Sequence, residues 1–300
     1  MSGSMEDPVQ LCLDGRISPE VALARLTLGG MGPGAIRSLL ERAGPPAAAL
    51  SRRLADSRGG LERLAGMLEA SGLDHAAGET GSAAITAIRD AFDRAVARSP
   101  EASVAAYSLG EPAILAAATG ELLAWLTREG LLGTDRDVVD LGCGIGRIAA
   151  AAAPHVRSVL GLDVSPGMVT EARRRHAEVA NLRFAVTDGQ GLDGPCCDLL
   201  LAVDSFPYLV QAGMAVAERH VADAARILRP GGALAICNLS YRGDLDADRA
   251  TAACWAARHG FELVRNGAAP FTLWDGTAFL LRKPLPPSQG AHPGWFRART

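Results

Sequence analysis

The ten residues Val138-Val139-Asp140-Leu141-Gly142-Cys143-Gly144-Ile145-Gly146-Arg147 restrict this chain more than any others. An apolar run of strand length enters a turn with glycine at alternate positions. An alanine-rich helix begins at once and is stopped by Pro154. Alternate glycines let the backbone turn sharply and admit a ligand where a Cβ would stand. Taken alone, such a turn reads equally as a tight strand–helix connection with nothing bound. Two acids shift the balance. Asp140 precedes the glycines, and Asp163 ends the apolar run 159–163, roughly 20 residues further on, where a carboxylate can accept from both hydroxyls of a ribose. The other reading of Asp163, an N-cap for the helix opened by Ser165-Pro166, is one that Ser165 can serve itself.

From Asp137 onward, short apolar runs alternate with helical stretches. The strand candidates are 138–141, 159–163, 182–186, 198–203, 233–238, 261–265 and 277–282. Helical patterns separate the first five, which predicts βαβ units and a parallel sheet. The last two follow one another without a helix and predict a hairpin-like pair at the far end. Upstream, Ser18-Pro19-Glu20 opens one helix and Pro33 another, which Gly44-Pro45-Pro46 stops. Further helices are expected over 47–56, 61–70, 83–98 and 112–128. The expected fold is α/β: a seven-stranded, mostly parallel, Rossmann-like sheet with flanking helices, plus an N-terminal helical region. Residues 1–80 read as a helical unit, 81–285 as the sheet-bearing unit and 286–300 as a loose tail, with a linker at 72–81.

Composition sets outer bounds. With 48% hydrophobic and 21% charged residues the chain can bury a sizeable core, and a net charge of −3 gives no general pull toward nucleic acid or acidic membranes. The six cysteines (Cys12, Cys143, Cys196, Cys197, Cys237, Cys254) contain no C-x-x-C pair, which argues for reduced thiols over a zinc site or disulfide framework. No signal-like N-terminus or membrane-length apolar run is visible, so a cytoplasmic location is expected. The histidines His155, His176, His220 and His259 fall in or near flanking helices and read as helix residues rather than bases. No spacing of acids and histidines suggests a metal.

A dinucleotide is the obvious rival ligand, but its G-x-G-x-x-G/A fingerprint requires glycine or alanine where Arg147 stands. The G-x-G-x-G loop preceded by an aspartate instead resembles the class I S-adenosylmethionine (SAM)-dependent methyltransferases, over about Tyr107 to Lys283. The resemblance implies SAM as cofactor. The loop (Asp140, Gly142, Cys143, Gly144, Gly146) would hold its methionine part, and Asp163 with Val164 its ribose. Asp188 with Gly189, after the third strand, would face its adenine amine. The Leu228-Arg229-Pro230-Gly231-Gly232 turn before the fifth strand fits the same family. Tyr107 falls in a segment that often closes over the cofactor there, and reads equally as a buried tyrosine joining two helices.

Ligands of open parallel sheets lie beyond the strands' carboxyl ends. That places Asp204-Ser205-Phe206-Pro207-Tyr208 near the reactive methyl. Asp204 is a candidate to orient the cofactor or act as general base, and Tyr208 to position a substrate. Phe206 and Tyr208 read equally as packing over the sheet. Tyr241 lies on the same expected rim. The expected reaction is in-line transfer of a methyl to O, N, S or C of a small-molecule acceptor, without nucleic acid or membrane. Three alternatives stand beside it: a peptide or protein methyltransferase recognising its target through the N-terminal helices, a SAM-binding subunit or sensor without catalysis, and an aminopropyl-type transferase. The N-terminal helices can equally serve as a cap, a homodimer contact or a partner surface.

Overall fold

The computed structural model describes residues 7–57, 59–72, 80–194 and 196–286. Helices α1 (Pro8–Leu13), α2 (Pro19–Leu28), α3 (Pro33–Ala43), α4 (Ala48–Asp56), α5 (Gly60–Ser71), α6 (Gly81–Arg98), α7 (Pro100–Val104) and α8 (Pro112–Arg128) precede the sheet. Then come β1 (Asp137–Leu141), α9 (Arg147–Ala152), β2 (Ser158–Asp163), α10 (Pro166–Arg175), β3 (Leu182–Val186) and β4 (Cys197–Val203). The remainder is α11 (Phe206–Ala212), α12 (Met214–Ile227), β5 (Leu228–Cys237), α13 (Leu245–His259), β6 (Glu262–Ala268) and β7 (Ala278–Arg282). Local chemistry sets many of these ends. Ser18, Ser165 and Asp244 accept from the first-turn amides of α2, α10 and α13, and Pro112 opens α8.

The sheet runs β3-β2-β1-β4-β5-β7-β6, parallel except for β7, which inserts antiparallel between β5 and β6. This is the seven-stranded, mostly parallel α/β sheet expected, with the last two strands paired at the far end. Alternate residues of each strand enter different cores, as a sheet covered on both faces requires. Val138, Leu199, Leu201, Ala235 and Leu280 pack with residues of α2–α5 and α8–α10. Val139, Leu200, Ala202, Ile236 and Phe279 pack with α11–α13. The N-terminal helices therefore share one continuous core with the sheet.

Three expectations change. Among the described residues no helix joins β3 to β4. That connection carries Gly189, Gly191 and Gly194, and α12 pins it: Asp223 accepts from the Leu192 amide, while Arg226 and Arg219 donate to the Leu192 and Gln190 carbonyls. The Leu228–Gly232 segment lies inside β5 rather than before it. Leu228 pairs with Cys197 and Ala233 with Leu199, so the intervening residues bulge out of register. Helices α1 and α7 were not foreseen. The tail 287–300 and the linker core 73–79 lie outside the described residues.

Helix α6 positions the site. It crosses the carboxyl edge of the sheet and is clamped to α10: Asp93 accepts from Ser165 Oγ at 2.5 Å and from the Gly167 amide at 2.8 Å. Ile85, one end of the same helix, joins Val164 and Leu209 in a small apolar cluster over the edge.

Candidate active site

The glycine turn is built as a left-handed ladder, with Gly142, Gly144 and Gly146 at φ 74°, 53° and 78°. L-residues with a Cβ rarely adopt that region. The space each side chain would fill is taken by protein. A Cβ at Gly142 would strike Ser205 Cβ, one at Gly144 would lie 2.7 Å from Val104 Cγ1, and one at Gly146 would lie 2.5 Å from Phe184 Cζ. The glycines thus serve the turn's own packing before they serve a ligand.

Four of the turn's amides are spent inside the protein. Those of Gly142 and Cys143 donate to the Leu162 carbonyl, that of Gly146 to the Cys143 carbonyl, and that of Gly144 to Asp163 Oδ2 at 2.8 Å. An anion-binding loop offers its N–H groups outward, and these four turn inward. Two carboxylates are buried beside it instead. Asp140 is 1% exposed, and its Oδ2 has no partner. Burial pushes its pKa up to about 7, against the pull of Arg147 and with the neighbouring Asp163 charge adding to the rise. Burial likewise pushes Asp163 up to about 6, although its carboxylate accepts from the amides of Ser165 and Gly144. A pyrophosphate would be repelled by this pair. A ligand carrying an ammonium and donor hydroxyls would satisfy it.

Other expected cofactor residues are placed as follows. The Cys143 thiol turns under the sheet toward Gly161, so only its backbone belongs to the turn. Val164 packs against Gly189 together with Ile85 of α6. Asp188 is exposed, and its Oδ1 accepts from the Gln190 amide. Tyr107 is buried, tilted against Trp274 with ring centroids 6.1 Å apart, and Arg147 donates to its hydroxyl at 3.4 Å.

The structure brings Asp204, Tyr208 and Tyr241 together at the ends of β4 and β5. Asp204 and Asn238 follow these neighbouring strands, and both are left-handed, at φ 55° and 64°. Such strained non-glycine residues persist where the surroundings over-determine them. Here Asn238 donates to Asp204 Oδ1 at 2.7 Å and accepts from the Thr277 amide at 3.0 Å. The Tyr241 hydroxyl donates to the same Oδ1 at 3.3 Å. Burial pushes Asp204 up to about 6, opposed by the Asn238 hydrogen bond and Arg147 and aided by Asp275. Tyr208 sits edge-on to both Phe92 and Tyr241, with centroids 5.0 and 5.7 Å apart.

With that geometry in place, comparison with known proteins is informative. Residues 138–232 match the profile of the methyltransferase-domain family. Among curated relatives, a demethylmenaquinone methyltransferase of Tropheryma whipplei is 30% identical over 35% of this chain and 42% of its own length. A malonyl-[acyl-carrier protein] O-methyltransferase of Hahella chejuensis is 34% identical over 50% of this chain and 51% of its own length. The chain therefore spans about half or less of these relatives. Among solved structures, magnesium protoporphyrin IX methyltransferase from Synechocystis PCC 6803 with bound SAM superposes with a TM-score of 0.51 at 20% identity. That match covers 67% of this chain and 97% of the other. It shows that the two share a fold.

Several residues at this edge of the sheet were not singled out from the sequence. Asn238 carried a legible hint, a polar residue ending a strand beside Asp204. Asp93, Trp274 and Asp275 carried none, because only tertiary packing brings α6 and the 269–277 connection to the edge. That connection is held from the N-terminal side: Glu121 accepts from Thr272 and from the Leu273 amide, and Arg25 pairs with Asp275. Among the described residues no cluster fit to hold a metal occurs. The flanking histidines bond to helix neighbours or backbone: His176 to the Ile145 carbonyl, His220 to that of Val216, and His259 to Glu218.

Proposed function

We propose that this chain is a SAM-dependent methyltransferase acting on a small-molecule acceptor. The observation that carries the reading is the unpartnered buried Oδ2 of Asp140 beside a turn four of whose amides are already spent. It suits a cationic, hydroxyl-bearing nucleoside and disfavours a dinucleotide. Asp140 with the turn's backbone would hold the methionine end, Asp163 with Val164 the ribose, and Asp188 with Gly189 the adenine.

The cofactor supplies an electrophilic methyl on a sulfonium, so the protein's tasks are to align a nucleophile and exclude water. Helix α6, with Ile85 and Phe92 on the edge, excludes water. Asp204, fixed by Asn238, would take a proton from an acceptor, and Tyr208 would position it. Tyr107 steadies Arg147 beside them. The N-terminal helices, read as residues 1–80 beside a catalytic unit of 81–285, serve this reading as cover for the site.

A second reading has one observation behind it. A SAM-dependent Diels-Alderase of Talaromyces variabilis is 30% identical over 43% of this chain, so SAM held without methyl transfer is a distinct alternative. Calorimetric titration with SAM, then incubation with methyl-labelled SAM and a small-molecule extract, separates the cases. Binding with label in a product supports the methyltransferase; binding without transfer favours the alternative; no binding rejects both.

A further inference from the structure

Arg147 opens α9 directly after the third glycine of the turn. Its guanidinium is held by two neutral hydroxyls: Nη1 donates to Thr119 Oγ1 at 2.8 Å and Nη2 to the Tyr107 hydroxyl at 3.4 Å. Those bonds occupy two of the five N–H groups an arginine offers, and neither partner carries a charge. The positive charge bears instead on two buried acids, Asp140 before the turn and Asp204 beyond β4. Arg147 is half-buried, so solvent screens that charge only in part.

The amino-acid end of SAM is a zwitterion, and each half needs its own counter-charge when water is excluded. Asp140 Oδ2, buried and without a partner, answers the ammonium. The carboxylate is the harder half. The amides of Gly142, Cys143, Gly144 and Gly146 turn inward, that of Ala150 closes on the Gly146 carbonyl, and that of Ala149 is spent on Asp140. Asp140, Asp163 and Asp204 would repel it, and Asp275 adds negative charge at Asp204. Arg25, the cation beside Asp275, is already paired with that residue. Arg147 is the cation common to Asp140 and Asp204, and so the group able to neutralise a carboxylate next to an ammonium held by Asp140.

We infer that Arg147 is the counter-ion of the cofactor's carboxylate, so that Asp140 and Arg147 together read the zwitterionic amino-acid end. This rests on the SAM reading above. Thr119 of α8 and Tyr107 hold the guanidinium before the ligand arrives, which lowers the ordering cost of binding. The pairing also sets which donors the site accepts. A nucleoside that carries the ammonium without the carboxylate satisfies Asp140 and leaves the charge of Arg147 unanswered. The donor of an aminopropyl-type transfer is such a molecule, so the pair selects against that chemistry.

Calorimetry on the full chain with two thioethers tests it: S-adenosylhomocysteine, which carries both charges, and S-adenosyl-3-thiopropylamine, which lacks only the carboxylate. The wild-type protein should bind the first about 30-fold tighter, the scale of a charge-assisted pair. R147M, which keeps an apolar stem, should weaken S-adenosylhomocysteine about 30-fold and leave the amine within about threefold, so that the two ligands bind nearly alike. R147K restores the charge without the planar fork and should bind S-adenosylhomocysteine at least ~threefold tighter than R147M does. D140N, which removes the ammonium's partner, should weaken both ligands alike. Equal affinity of the wild-type protein for the two ligands overturns the inference. So does an R147M loss shared equally by both, the mark of a merely structural role. The wild-type comparison needs no variant, so it decides even where R147M does not fold. Failure of both S-adenosylhomocysteine and SAM to bind would instead bring down the SAM reading.

Discussion

Asp137 and Asp140 stand on the same strand, β1, and mark two ends of the sheet built on opposite electrostatic rules. At the amino edge Asp137 accepts from Arg157, Ser158 and Arg229, and Arg229 also reaches Asp198. The Arg157 hydrogen bond leads these contacts in holding the Asp137 carboxyl well below the usual range. At the carboxyl edge burial pushes Asp140, Asp163 and Asp204 upward, and Asp140 Oδ2 has no partner at all. The amino edge is complete without a ligand. The carboxyl edge is stable only as a compromise, with three buried or half-buried acids and one carboxylate oxygen, Asp140 Oδ2, left without a partner.

The largest expected effect breaks that contrast directly. Asp163→Ala removes the acceptor that anchors the Gly144 amide and the proposed ribose contact, and should weaken SAM at least ~100-fold, about 2.7 kcal/mol. Asp137→Asn should leave SAM affinity within twofold while lowering stability to urea by about 1 kcal/mol, as a partly exposed ion-pair network allows. Equal losses of affinity in the two variants would show that the edges do not divide the work.

Titration sharpens the comparison. An unfolded aspartate titrates near 3.8, whereas folded Asp140 lies at about 7 and Asp163 and Asp204 at about 6. A raised native pKa means the folded state holds the proton more tightly. That stabilisation is complete below the unfolded value and is lost as pH climbs through 6 to 7. Asp137 acts with the opposite sign: its contribution is present above about 4 and is lost as pH falls. Urea midpoints of the free protein should therefore decline from pH 5 to pH 8, and Asp140→Asn should flatten that decline. SAM reverses the trend, because its ammonium favours ionised Asp140. Affinity should rise several-fold between about pH 5.5 and 7.5, and calorimetry at pH 6.5 in two buffers of different ionisation enthalpy should detect released protons.

A smaller effect isolates the turn. Gly130 and Gly144 are both left-handed, at φ 65° and 53°, but a Cβ at Gly130 meets nothing within 4 Å while one at Gly144 meets Val104. Gly130→Ala should cost about 1 kcal/mol of stability from backbone strain alone. Gly144→Ala should cost roughly twice that and weaken SAM about tenfold. Similar behaviour of the two would mean that the close approach of α7 to the turn is not what the glycine protects.

The same division explains what could be read in advance. The bounds of α8 and β3 coincide with those expected, because Pro112, Gly130 and the β-branched and apolar run 182–186 signal them locally. The turn and its two acids were legible for the same reason. The purpose of the glycines was not, since Ser205, Val104 and Phe184 approach from distant segments. Nor was the clamp of Asp93 on α10, a contact across more than seventy residues that leaves no periodicity to read. The β3–β4 connection misled because a sheet of βαβ units sets a strong expectation, and three glycines outweigh it locally.

The smallest effect concerns the chain's single lysine. Lys283 follows β7 at the amino edge, and its Nζ donates to the Ala225 and Leu228 carbonyls, each at 2.7 Å, at the carboxyl end of α12. A cation there satisfies orphan carbonyls and meets the negative end of the helix dipole. Lys283→Met keeps the aliphatic stem and removes only the charge and its donors, so stability to urea should fall by about 1 kcal/mol. SAM affinity should stay within twofold, since the sheet separates this cap from the acids at the other edge. A larger loss of affinity would show that α12 transmits the change through Asp223 and Arg226 to the β3–β4 connection. That path would make the two edges one coupled system.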